Sequence, residues 1–252
     1  MKQCITIFVI MLITINSIFA QAKEVELRHT MIDNDLGVTI VYNTKIVDSW
    51  NGVTYTDCTE KEVRAFVKLL EKEYAKYPSG YLKKSLVDTI VLGNDLAYKK
   101  QFRAGVPDPY KKVLYLSVNG SYGVADSGYL IHTMHHELVH CTDVALWGDM
   151  YYDWADWANI NIVGFKYGGG GVTAYADSET DYISPVHPQK GFINRYSMTG
   201  DEEDRAEMMA FWMTDEKRPD FQNLLLTDER LVKKLKLLKT TYERFAGEKF
   251  FE

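Results

Sequence analysis

Residues 127–148, SGYLIHTMHHELVHCTDVALWG, contain the pattern His-Glu-x-x-His at positions 136–140. Residues four apart on an α-helix lie one turn apart on the same face, so the imidazoles of His136 and His140 can reach one metal ion. Glu137 lies beside the first histidine, where a carboxylate can take a proton from a water molecule that the metal holds. The pattern therefore predicts a helix that carries a metal site.

The residues around the pattern predict a helix that begins near Asp126 or Ser127 and ends at Gly148. One apolar stripe recurs along it at helical spacing. This stripe consists of Leu130, Met134, Leu138, Cys141 and Ala145. The motif histidines lie roughly 200° around the helix from the stripe, at about 100° per residue. The helix can therefore bury one face in a core and direct its histidines into a cleft, while His135 is expected to face solvent or to support the site from outside.

The order of predicted elements, strands first and helices later, is typical of an α+β fold. The predicted strands are 38–42, 86–92 and 112–118, and the predicted helices besides the motif helix are 60–76, 199–213 and 228–245. Thr59 with Glu62, and Thr199 with Glu202, have the spacing of capping boxes at the start of two of these helices. No repeat or linker divides the chain, so residues 23–252 are expected to form one domain.

Residues 1–22 have the composition of a secretion signal. Lys2 precedes an almost wholly apolar run over residues 5–15, and Ala20-Gln21-Ala22 supplies the small residues that a signal peptidase requires. The apolar run is too short for a convincing membrane anchor, and no other segment has the length and composition of a membrane span. We therefore expect a secreted or periplasmic protein with no stable membrane span after cleavage.

The net charge and the cysteine content argue against some other classes of protein. The net charge is −6 and becomes −7 when Lys2 is removed with the signal, which argues against nucleic acid as a partner. Cys58 and Cys141 are the two cysteines outside the signal segment. They could form one disulfide bond at most, which is too few for a fold that depends on a framework of disulfides. Cys141 lies on the apolar side of the motif helix, so we interpret it as a buried thiol.

A catalytic zinc ion usually has three protein ligands and a water, so two histidines leave one ligand to be found. A third histidine six residues after the motif would mark one peptidase group, but Leu146 stands there and Asp143 replaces the accompanying glycine. His132 lies one turn before the motif, yet a straight helix rarely wraps three successive turns around one ion. Its expected role is orientation or packing.

The helix predicted after Thr199 offers carboxylates. Glu203, Ala206, Glu207 and Ala210 share one face, and the two alanines allow close approach to another helix. Glu203 is the preferred third ligand, with Glu207 accepting a hydrogen bond from the outer nitrogen of a ligand histidine. Glu202, Glu207 and Asp143 remain alternative ligands. The acidic run 201–204 also has an ordinary explanation, since a helix N-terminus favours negative charge.

Two segments, about 130–143 and 192–213, resemble known zinc peptidases. The motif followed by Glu203-x-x-Ala206-Glu207 is similar to the gluzincin clan, and the second part to the E-x-x-A-E glutamate helix of the anthrax lethal factor-like peptidases. In that group a tyrosine precedes the ligand glutamate by seven residues, as Tyr196 does here. Residues 196–207, YSMTGDEEDRAE, resemble the zinc-binding metallopeptidases of secreted bacterial proteins.

The resemblance implies a zincin-like fold, with a small mixed sheet packed on the active-site helix and a mainly helical C-terminal part. It implies that His136, His140 and Glu203 hold zinc, that Glu137 is the general base, and that Tyr196 stabilises the oxyanion. The implied function is hydrolysis of peptide bonds in a protein or peptide by a secreted zinc endopeptidase. Such enzymes bind an extended substrate along a sheet edge, and residues 112–118 are the candidate edge.

Two other function classes stay open. The first is a catalytically idle zinc-binding secreted protein that acts in adhesion or regulation, although a structural site needs no general base such as Glu137. The second is a chance motif in a carbohydrate- or partner-binding module whose Trp- and Tyr-rich stretch, 151–157, is the working surface. The glycine run 168–171 is expected to be an ordinary flexible loop.

Overall fold

The computed structural model describes residues 30–120, 127–169 and 184–251. The expected signal segment and part of the glycine run 168–171 lie outside these residues. The strands are β1 Thr30–Ile32, β2 Thr39–Tyr42, β3 Val53–Thr56, β4 Thr89–Tyr98, β5 Gln101–Phe102, β6 Gly105–Asp108 and β7 Val113–Ser117. The helices are α1 Glu60–Tyr74, α2 Tyr81–Lys84, α3 Ser127–Trp147, α4 Ala155–Ala158, α5 Asp201–Met213, α6 Arg218–Leu225 and α7 Glu229–Ala246, with a 3₁₀ turn at Tyr196–Met198.

The strands form one mixed sheet in the order β1-β2-β4-β7-β6, and β3 and β5 pair with β4 outside this path. Strands β2, β4 and β7 are parallel, whereas β1 and β6 are antiparallel to their neighbours. The expected edge at 112–118 is therefore wrong, because β7 lies between β4 and β6. The edge beside the motif helix is β6, which is too short and too poor in apolar alternation to be predicted as a strand.

Both faces of the sheet are covered by other parts of the chain. One face packs on α1 and α3 in the main core, through residues such as Ile90 and Leu114. The other face carries a smaller apolar cluster that includes Val91 and Tyr115. For this reason all five residues of β7 are buried, although its alternation predicted two different faces. Sheet and helices together confirm the α+β prediction.

The helix ends follow their local signals in most places. Thr59 and Glu62 form the predicted capping box of α1, and α3 begins at Ser127 and ends before Gly148, whose φ is +79°. Asp228 caps α7 through the backbone N–H groups of the first turn. In the described part of the chain, none of the helices combines the length and apolarity that a bilayer crossing requires.

Two local predictions are wrong. The strand predicted at 86–92 begins only at Thr89, because Leu86 has a φ of +59° and belongs to the turn after α2. Thr199 caps no helix, since its hydroxyl donates to the carbonyl of Tyr196 in the 3₁₀ turn. Gly200 is the N-cap of α5 instead, and no side chain caps that helix.

Candidate metal centre and cleft

The motif histidines project from α3 toward α5, where they meet the carboxylate of Glu203. His136 Nε2 lies 3.0 Å from Glu203 Oε2 and 3.2 Å from His140 Nε2. His140 Nε2 lies 3.5 Å from the same Glu203 oxygen. All three side chains are largely buried, and the residues are 5–9% exposed. Two helices far apart in sequence therefore bring three potential ligand atoms together.

The spacing of these atoms fits a tetrahedral zinc ion. Zinc bonds of about 2.0–2.1 Å place neighbouring ligand atoms roughly 3.3 Å apart, and the three observed separations, 3.0, 3.2 and 3.5 Å, bracket that value. Burial opposes charge on these groups, but their mutual hydrogen bonds outweigh it. The pKa of Glu203 is therefore lowered and the pKa of His136 is raised well above its usual value.

A second group, His132, His136 and Glu207, also has ligand atoms close together. His132 and Glu207 do not line the cleft onto which His136, His140 and Glu203 open. A catalytic zinc site needs an open position, so the first group is the better candidate. The second group supports it from behind.

Glu207 positions His136. Glu207 Oε1 accepts from His136 Nδ1 at 2.8 Å and from His132 Nε2 at 2.8 Å, and Asn194 donates to the other carboxylate oxygen. With Nδ1 engaged in this way, Nε2 is the nitrogen directed at Glu203 and His140. The predicted hydrogen bond from the outer nitrogen of a motif histidine to Glu207 is therefore present, as a support for a ligand histidine would require.

Glu137 faces the cleft from the same turn of α3. Its side chain packs against the backbone of Gly105 in β6 so closely that a Cβ atom at position 105 would overlap it. Burial raises the pKa of Glu137, and the charges of His136 and Arg103 act in the opposite direction. The carboxylate is thus held between the edge strand and the candidate ligands His136 and His140.

Tyr196 lies in the 3₁₀ turn before α5, and its ring is 5.7 Å from that of His136. Its hydroxyl donates to Glu203 Oε1 at 3.0 Å, while Oε2 of the same carboxylate faces the histidines. The structure thus brings the tyrosine to the cleft, with its hydroxyl on the carboxylate of Glu203.

Ion pairs anchor α5 in the protein. Lys234 Nζ lies 2.6 Å from Asp204 Oδ2, and neither side chain is exposed. Arg205 lies 2.8 Å from Asp143 and 2.8 Å from Asp201. The acidic run 201–204 therefore forms specific ion pairs in addition to placing negative charge at a helix end. Asp143 pairs with Arg205, and it belongs to neither of the two groups of potential metal ligands described above.

His135 and Trp157 differ from their predictions. His135 is fully buried, not solvent-facing, because Nδ1 pairs with the Tyr77 hydroxyl at 2.9 Å and Nε2 with Glu73 at 3.3 Å. Trp157 is also fully buried and donates to Asp204. Trp157 therefore serves packing, whereas Tyr151 of the same stretch, 151–157, lines the cleft. Cys58 and Cys141 are buried and free, as expected for Cys141.

Residues 105–242 match the family described as "Putative zinc-binding metallo-peptidase". The matched span covers more than half of the 252 residues and begins at Gly105, the glycine that packs against Glu137. This chain belongs to that zinc metallopeptidase family. The family description confirms the zinc prediction. No curated protein and no solved structure matches the metallopeptidase.

The cleft of the metallopeptidase has walls that the sequence did not reveal. It encloses about 390 Å³ and is lined by Trp50, Tyr98 and Arg103 from the sheet region and by Tyr151 from the segment after α3. Gly169, within the glycine run, also lines it. Tyr151 and Gly169 belong to the stretches 151–157 and 168–171 that the sequence analysis singled out, whereas Trp50, Tyr98 and Arg103 stand in no recognisable motif.

We expect Gly105→Ala to lower peptide hydrolysis in the metallopeptidase by about a hundredfold, because small displacements of catalytic groups have effects of that size. The new methyl group would push Glu137 out of place but would leave the zinc ligands unchanged. The measurement is turnover together with zinc content. Gly93→Ala is the matched control, since its methyl group would overlap Tyr55 on a neighbouring strand, away from the cleft. Equal turnover losses in the two folded variants would contradict the role assigned to Gly105.

Proposed function

We propose that this metallopeptidase is a secreted zinc-dependent endopeptidase of the gluzincin type, in which His136, His140 and Glu203 hold the metal. The observation that carries the proposal is the meeting of these three side chains beside Glu137 in an open cleft. The resemblance of residues 196–207 to lethal factor-like and secreted bacterial peptidases supports the same ligand set. The apolar run near the N-terminus supports secretion.

When bound, zinc supplies Lewis-acid chemistry, which lowers the pKa of water to about 7 and polarises a carbonyl group. Glu137 accepts the proton of the attacking water and passes it to the leaving amine. Its position against Gly105 holds the carboxylate near the substrate backbone. A carboxylate in this place supports a catalytic site over the idle zinc-binding alternative, since a purely structural site has no use for it.

The substrate binds in an extended form along the outer edge of β6. Ser117 N donates to the carbonyl of Ala104, so Ala104 faces β7. Successive residues of an antiparallel edge strand alternate in direction, so Gly105 and Pro107 direct their backbone groups outward. Gly105 therefore offers an N–H and a C=O, whereas Pro107 offers only a C=O. Proline is tolerated here because its missing N–H would have faced the open edge.

Tyr196→Phe should lower turnover by about a hundredfold or more while zinc content stays intact, because the hydroxyl would no longer stabilise the oxyanion. This requires the hydroxyl to move from Glu203 to the substrate carbonyl during the reaction. The measurement is turnover and metal content of the same preparation. Loss of zinc in the variant would assign the hydroxyl to the support of Glu203 instead.

The proposal is tested by metal analysis of the purified protein combined with cleavage of a peptide library. We expect zinc at one ion per chain and cleavage at internal bonds, lost with a chelator and restored by zinc. A protein without zinc would support the chance-motif alternative. A zinc-loaded protein that cleaves no peptide would support the idle alternative.

A further inference from the structure

Glu202 differs from the other carboxylates of α5 in its lack of a basic partner among the described residues. The other acidic side chains of this helix each have a basic partner within 4 Å. The pairs are Asp201 with Arg205, Glu203 with His136, Asp204 with Lys234 and Glu207 with His132. Among the described residues no basic side chain forms such a pair with Glu202, although the residue is only 6% exposed. A buried carboxylate without a counter-ion is costly unless a partner arrives from outside.

The carboxylate of Glu202 lies at the N-terminal end of α5. It folds back over Gly200, where its oxygens occupy the space that a Cβ atom would need. Glu202 lines the same cavity as His140 and Glu203, but it belongs to neither of the two groups of potential metal ligands. Its charge also contributes, after burial, to the raised pKa of Tyr151, which lines the same cavity. Glu202 is thus available to a bound molecule close to the metal ligands.

Aromatic rings line the same cavity as Glu202. Tyr151 is 69% exposed and lines the cleft from the segment after α3. Trp50 and Tyr98 line it from the sheet region, in edge contact with ring centroids 6.1 Å apart. The loop that carries Trp50 is fixed, because Asp48 accepts from the backbone N–H of Trp50 at 3.0 Å. Exposed aromatic faces next to an anionic group favour a cation over a neutral or negative group.

Arg103 does not neutralise Glu202, although it lines the same cleft. Its charge acts on Glu137, and its guanidinium donates to Gln101 at 2.8 Å. The cleft therefore has a basic group toward Glu137 and an acidic group toward His140 and Tyr151. A substrate that places its positive charge on the Glu202 side matches this distribution.

We propose that the cleft selects peptides with a positive charge next to the scissile bond, with Glu202 as the counter-ion and Tyr151, Trp50 and Tyr98 as the aromatic wall. This inference rests on the proposed function, because the scissile bond must lie at the metal ligands. The charge can belong to a lysine or arginine side chain or to the substrate's own N-terminal ammonium group. Both bring the same chemistry to Glu202, but the second would make the enzyme an aminopeptidase in place of the proposed endopeptidase, so the experiment has to separate them.

The test uses hexapeptides that differ at one position, with lysine or its neutral analogue norleucine, each with a free or an acetylated N-terminus. Wild type should cleave the charged member of one pair on the order of ten- to a hundredfold more efficiently, the range expected for a hydrogen bond to a charged group. Glu202→Gln should remove most of this preference while hydrolysis of the neutral peptide is retained. Preference for lysine identifies a side-chain subsite, and preference for a free N-terminus identifies an ammonium subsite.

Glu216→Gln is the matched control, since Glu216 is exposed and lies after α5. Equal preference in wild type and Glu202→Gln would overturn the inference, as would an equal loss on charged and neutral peptides. Binding of the same peptides to Glu137→Gln, measured by calorimetry, separates this inference from the proposed function. Charge-selective binding without cleavage by wild type would contradict the endopeptidase proposal alone, whereas cleavage without charge preference would contradict the inference alone.

Discussion

Glu137→Gln is expected to reduce peptide hydrolysis by about 100- to 10,000-fold, the usual contribution of a general base, while the protein keeps its zinc. Glutamine has nearly the shape of glutamate, so it fits against Gly105 and leaves His136 and His140 undisturbed. It cannot accept the proton of the attacking water. The measurement is the rate of cleavage of a peptide found in the library screen, with the zinc content of each preparation.

Glu216→Gln serves as the control for this variant as well, because it makes the same chemical change on an exposed surface. Its rate and its zinc content should match those of wild type. Unchanged hydrolysis in Glu137→Gln would show that another group activates the water. Loss of zinc together with activity would mean that Glu137 supports the metal site and would leave its role as a base without evidence.

Glu203→Ala is expected to have the largest effect on zinc binding among the carboxylate variants of α5. Loss of a group that supports a ligand typically lowers metal affinity by about 10–100-fold, and loss of a ligand should exceed that. Glu202→Ala is the matched comparison, since it removes the neighbouring carboxylate from the same helix and cleft. Zinc affinity is measured by competition with a chelator, and circular dichroism checks that both variants fold.

Equal zinc retention in Glu203→Ala and Glu202→Ala would mean that the third ligand is misplaced. The group formed by His132, His136 and Glu207 would then become the candidate metal site, and Glu207→Ala would be the variant that loses zinc. The two groups share His136, so a variant at that histidine cannot distinguish them. The carboxylate variants can.

Features set by neighbouring residues could be predicted from the sequence. The end of α3 before Gly148 and the capping box of α1 depend on residues within a few turns of each other. The ligand candidates on α3 and α5 were found because helical spacing determines which side chains share a face. That Glu203 meets the histidines is a long-range contact, and the sequence indicated it only through the alanines and the resemblance.

Features set by distant parts of the chain could not be predicted in the same way. Strand β6 is four residues long, and its place at the edge depends on pairing with β7. His135 has a helical position that indicated solvent, but Glu73 of α1 and Tyr77 just after this helix cover it. Trp50 reaches the cleft through a loop between strands. In each case the residues that determine the position of the strand or side chain lie far away in the sequence. No local pattern of residues links them to it.

The salt links at the two residues after Glu203 have a consequence for the protein before it acquires its metal. Lys234 and Asp143 hold α5 through Asp204 and Arg205, and neither link involves a proposed ligand. The scaffold is therefore assembled by contacts that persist in the apo form, unlike a zinc finger, whose folding depends on the ion. We expect the apoprotein to stay folded and to regain zinc without refolding, so that metal supply can switch the enzyme on and off reversibly.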